Sequence, residues 1–171
     1  MKIIYQNEQK YSECQLVVAL NASYCLGEPF ISPNSEEYER LVDLTGGRCG
    51  SCINVEKAYD YLRLKYIDVK PEWNSIYFAM DKNLPISVGV NTDKHGLHNI
   101  VIIKMRSNNK IGWYDLKVPN LNPYTNKKMW IHLKKLEKIT NVRKNIGPEY
   151  GFFRIFYILK FYRDLKNRRK K

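Results

Sequence analysis

No apolar run in the 171 residues approaches the roughly 20 needed to cross a bilayer, so no membrane partner is expected. Residues 1–10, MKIIYQNEQK, are too short and too polar for a secretory signal, which makes the cytoplasm the default location. Cysteine is scarce. Without a secretory segment, the four thiols are expected to be free rather than paired as disulfides. Cys49 and Cys52 form a lone CxxC; a zinc site needs a second ligand pair, and none stands at the required spacing. They are read as structural thiols at a turn, and neither metal nor cofactor is expected. Histidine is scarcer still: His95, His98 and His132 are the only three.

What is present suits one globular domain, since 171 residues at 44% apolar composition are enough for a sizeable core. Charge is unevenly spread. Residues 104–171 hold 19 Lys or Arg against 4 Asp or Glu, a net of +15, while residues 1–103 hold 10 against 13, a net of −3. The basic stretch 127–144 has helical character, 150–162 (YGFFRIFYILKFY) is an aromatic strand-like run, and the chain ends DLKNRRKK. A basic end on a near-neutral body suggests an anionic partner, either nucleic acid or an acidic protein surface. A solvated basic face is the plainer reading.

Residues 9–27, QKYSECQLVVALNASYCLG, organise the rest. Ser12 with Gln15 three residues on has capping-box spacing, so Cys14 is expected in the first turn of a helix that Gly27 ends. The unsatisfied N–H groups there favour a thiolate, although Glu13 beside it works against that. Next come a short helix capped by Ser35, with Glu36 and Glu37 in its first turn, and an amphipathic helix carrying Val55, Ala58, Tyr59, Leu62 and Tyr66. Residues 73–80 are helix or strand, and Leu84-Pro85 introduces the strand ISVGVN.

A nucleophilic cysteine needs a base. His98 heads HNIVIIKM, the most strand-like run in the chain, whereas His95 sits in the loop before it and His132 in the basic run. His98 is therefore preferred. Residues 107–110 read as a turn and 111–116 as the returning strand. A hairpin folded near Asn108 brings the partner of His98 to about position 118, so Asp115 is expected one or two rungs from the imidazole.

In order and context these residues resemble the papain-like cysteine peptidases, and among them the bacteriocin-processing, double-glycine-leader branch. That branch has a glutamine, a polar run, Asp-Cys-Gly and an Ala/Leu-rich helix ending in Gly. Later come Leu-Pro with an apolar run, His with an apolar run, and an aspartate on the next strand. Gln9, Cys14, VVALNASYCLG, LPISVGV, His98 with NIVIIK, and Asp115 in GWYDLKVP match across roughly residues 5–120. Gln15 stands where the branch has glycine, and Gln9 lies one residue nearer the cysteine than the pattern has it, with Gln6 as the other nearby glutamine. The resemblance implies an α+β papain-like fold, N-terminal helices packed on an antiparallel sheet. It also implies Cys14 as nucleophile, His98 as base, Asp115 as orienter and Gln9 as oxyanion donor.

On this reading residues 1–126 form the peptidase-like domain, and residues 127–171 are a basic extension that completes it and docks to a partner. Two functions follow. The first is a cysteine peptidase acting on a peptide substrate. The second is a non-catalytic structural protein of a large assembly, such as a phage virion, that keeps the fold as scaffold and docks by its basic end. Abundant Lys, Asn, Ile and Tyr, the usage of AT-rich genomes, fits bacteria and their viruses.

Overall fold

The computed structural model describes residues 13–47, 54–92, 96–108, 113–120, 130–140 and 153–158. Helix α1 (Cys14–Cys25) is the hub: every residue from Leu16 to Ser23 is buried. A helix buried all round has to be enclosed, and its buried stretch is apolar except for Asn21 and Ser23. It packs on strand β3 (Gly96–Ile102) and on α3 (Val55–Tyr61). Its end is a glycine stop: Gly27, at φ +97°, lets Glu28 N–H reach back to Ser23 O at 3.2 Å. Nothing lies within 4 Å of a Cβ built at Gly27, so backbone conformation rather than space calls for glycine there.

The start of α1 differs from expectation. Glu13, not Ser12, is the N-cap, and its side chain makes no capping bond. Ser12 lies outside the described residues. Helix α2 (Glu36–Leu44) starts as expected, with Ser35 Oγ accepting from Tyr38 N–H at 3.2 Å and Glu36 and Glu37 in the first turn. Helix α3 is shorter than its apolar spacing suggests. Arg63 adopts φ +54° and Leu64 N–H returns to Tyr59 O at 2.8 Å, closing the helix, so Tyr66 falls on strand β1 (Lys65–Val69). Residues 73–81 form helix α4 (Trp73–Asp81).

The first sheet is antiparallel, in the order β1, β7 (Phe153–Tyr157), β2 (Ile86–Thr92), β3. The aromatic run near the C-terminus thus supplies an inner strand, with Phe153, Ile155 and Phe156 buried. Strand β3 passes through Ile103 directly into β4 (Lys104–Asn108), and Ile103 N–H bonds to Lys117 O at 3.0 Å. Strand β4 opens the second sheet, followed by β5 (Trp113–Lys117) and β6 (Trp130–His132), all antiparallel. Helix α5 (Leu133–Thr140) follows β6, and buries Leu133 and Leu136. His132 therefore ends a strand rather than lying on a helix. Among the described residues no helix is long and apolar enough to cross a membrane.

Candidate active site

Cys14 is the first residue of α1 and is half-buried. The helix it opens packs on the strand that carries His98. His98 lies opposite Val90 in the β2–β3 ladder and is only 6% exposed, so its imidazole needs a hydrogen-bond partner. That partner is the backbone carbonyl of Asn120, 2.8 Å from Nε2. A carbonyl only accepts, so Nε2 carries the proton, and the lone pair of the neutral ring resides on Nδ1.

Asn120 is itself held on three sides. Its Oδ1 accepts from Val101 N–H at 3.0 Å and its Nδ2 donates to Asn99 O at 3.0 Å, while its own carbonyl accepts from His98 Nε2–H. Strand β5 has already ended at Lys117, and Pro119 has no N–H to offer a ladder. The Asn120 side chain supplies the next rung in place of the backbone. It is completely buried, and its two bonds grip the residues on either side of Ile100, one turn of the pleat from His98.

Asp115 is placed elsewhere. The observed register puts Lys104 opposite Lys117 and Asn108 opposite Trp113, so Asp115 faces Arg106, eight residues along the chain from His98. The hairpin therefore folds later than a turn centred near Asn108 implies, and the expected rung beside the imidazole goes to Asn120 instead. The Asp115 carboxylate accepts from Arg106 Nε at 3.4 Å and Nη2 at 3.3 Å, and on its other side the strand faces His132. The same guanidinium lies 4.0 Å from the centre of the Trp130 ring. Gln9, Cys49, Cys52 and His95 lie outside the described residues.

Two thiols on one helix are set apart by environment. Burial pushes the Cys25 thiol up to about 11, against the opposing pull of the Lys117 charge. Cys14 instead opens the helix, where the dipole favours a thiolate. Among the described residues no group of three His, Cys, Asp or Glu side chains is arranged to hold a metal ion.

No protein-family model and no curated protein sequence matches the chain. Among solved structures, the peptidase domain of Streptococcus ComA, a bi-functional ABC transporter involved in a quorum-sensing pathway, superposes with a TM-score of 0.58 at 17% identity. The match covers 92% of this chain and 98% of that domain. At this identity the likeness speaks to fold alone: the chain has the mixed helix and antiparallel-sheet fold of the ComA peptidase domain, the papain-like arrangement that the order of its Cys, His and strand motifs implied.

Proposed function

We propose that the chain is a papain-like cysteine peptidase-type domain that cleaves a peptide through Cys14, with His98 as base and Asn120 as the residue that orients the imidazole. The observation that carries this reading is the 2.8 Å contact from His98 Nε2 to the Asn120 carbonyl, because it leaves Nδ1 as the basic nitrogen on a strand packed against the helix of the thiol. A main-chain carbonyl here stands where the nucleophile, base and orienter logic has an orienting side chain. In the first step Nδ1 takes the Cys14 proton and the thiolate adds to the scissile carbonyl carbon. Gln9, assigned from the resemblance, donates to the oxyanion that forms. The imidazolium then protonates the leaving amine as the C–N bond breaks, leaving a thioester on Cys14. Water, deprotonated at Nδ1, adds to that thioester and releases the acid and the free thiol.

Incubating the full chain with a mixed peptide pool and mapping new termini by mass spectrometry tests this reading. Cleavage is expected from the wild type and absent from Cys14→Ala and His98→Ala. Cleavage that survives Cys14→Ala, or a wild type that cleaves nothing, contradicts it.

The charge segregation favours a second reading, in which the fold serves as scaffold in a larger assembly, such as a phage virion, and residues 127–171 dock to an anionic surface. Retention on duplex DNA or on a heparin matrix should then fall by orders of magnitude between roughly 50 and 200 mM salt. Retention indifferent to salt makes the basic end a solvated face.

A further inference from the structure

The second sheet turns one face to the core and the other outward. Met105, Leu116 and Ile131, opposite one another on β4, β5 and β6, point inward, and Leu116 and Ile131 are buried. Their neighbours along each strand therefore share the outer face: Lys104 and Arg106, Asp115 and Lys117, Trp130 and His132. Lys104 and Lys117 are direct cross-strand partners, which sets two ammonium groups side by side and costs stability. Among the described residues neither pairs with a carboxylate, and Asp115 beside them is bonded to Arg106. Arg106 in turn lies over Trp130, 4.0 Å from the ring centre, yet its side chain stays 55% exposed. Trp130 is the partner of Lys117 on β6, so the lysine pair and the arginine–tryptophan pair form one continuous patch.

We propose that this face binds single-stranded nucleic acid, with phosphates at Lys104 and Lys117 and a base stacked on the open side of the Arg106 guanidinium. Two opposed ammonium groups repel each other, and a polyanion relieves that repulsion, so charge complementarity is the first argument for the partner. The second is the stack. A guanidinium backed by an indole offers a flat, cationic surface that suits the π-face of any base. A duplex keeps its bases inside the helix, and acidic side chains carry no aromatic face, so either partner would leave that surface unused. The site is distinct from the docking of residues 127–171 considered above, since Lys104, Arg106 and Lys117 lie on β4 and β5.

The test is fluorescence anisotropy of a labelled oligothymidylate of about 20 nucleotides titrated with the full chain at roughly 50 and 200 mM salt, with a duplex of equal length and poly-glutamate as competitors. The wild type should bind the single strand. The double variant Lys104→Gln, Lys117→Gln should weaken that binding about tenfold or more at the lower salt, each lost phosphate contact removing about 0.7 from the salt slope. It should melt no lower than the wild type, because the change removes a repulsion. Arg106→Lys keeps the charge and loses the plane, and should weaken the single strand about three- to tenfold while leaving the duplex within about twofold. Binding that survives both variants belongs to the basic end and overturns the proposal. So does a wild type that binds no single strand, displacement by poly-glutamate at equal charge, or an equal loss for duplex and single strand in Arg106→Lys.

Discussion

His98 and Asn120, 22 residues apart in the chain, meet through the imidazole Nε2 and a backbone carbonyl at 2.8 Å. Because the bond is to the main chain, the Asn120 side chain acts on His98 indirectly, by tying that carbonyl to Asn99 and Val101. Asn120→Ala removes both ties in a fully buried place and should lower stability by about 1–3 kcal/mol. It should also slow Cys14 chemistry by roughly tenfold or more, within the range attributable to a well-placed base. Asp115→Asn weakens a pair whose Arg106 side is 55% exposed, which is worth at most about 1 kcal/mol, and should leave Cys14 chemistry within about twofold. Thermal melts and Cys14 labelling on the two variants check the contrast; equal losses would return the orienting role to Asp115.

Arg154 joins three elements. From β7 its Nε donates to Asp68 of β1 at 3.0 Å and its Nη1 to Glu56 of α3 at 3.3 Å, and its guanidinium lies 4.6 Å from the centre of the Tyr66 ring. Arg154→Met keeps the stem but loses the fork and the ring contact, and should lower the unfolding free energy by about 1–2 kcal/mol. Arg154→Lys should recover less than half, because an ammonium cannot serve two carboxylates in one plane. Denaturant midpoints of the three proteins measure this.

At high pH the Tyr59 phenol becomes the weak point. Burial pushes its pKa up to about 12 from 10.0, with the bond and charge of Arg154 opposing the rise. The folded state therefore keeps a proton that the unfolded state has released. Its contribution is fully present below pH 10 and is lost as the pH rises from 10 to 12, a loss on the order of 2 kcal/mol. Melting temperature followed across that window should fall, and Tyr59→Phe should flatten the part of the fall that this residue causes.

Local signals carried much of the fold into the sequence. The enclosed helix with Gly27 behind it, the Ser35 cap, ISVGVN and the aromatic run at β7 are each set by propensity or by a single stop residue, and each forms where its pattern implies. Tyr66 was misplaced because a helical period of five apolar residues continues through Arg63, whose left-handed turn carries no sequence mark as clear as glycine. Asp115 was misplaced for a different reason. The turn residues 107–110 suggest an early hairpin, while the ladder from Lys104 to Asn108 extends through Ser107 and shifts every cross-strand partner. A register is a non-local quantity, and only the pairing of β4 with β5 reveals that Asn120 bonds to Val101 and Asn99. The signal available in the sequence was Pro119, which stops a ladder and leaves the next side chain to complete it.

The proposed activation of Cys14 by His98 is tested most directly by the pH dependence of alkylation at single thiols, resolved by mass spectrometry in the wild type and in His98→Gln. In the wild type Cys14 should react first among Cys14, Cys25, Cys49 and Cys52, with a midpoint below the ordinary thiol value of about 8.5. In His98→Gln the Cys14 midpoint should return to about 8.5 or above while Cys25 is unchanged. Cys14 and Cys25 labelling in parallel, or a Cys14 profile that ignores the loss of His98, would contradict the assignment of these two residues as nucleophile and base.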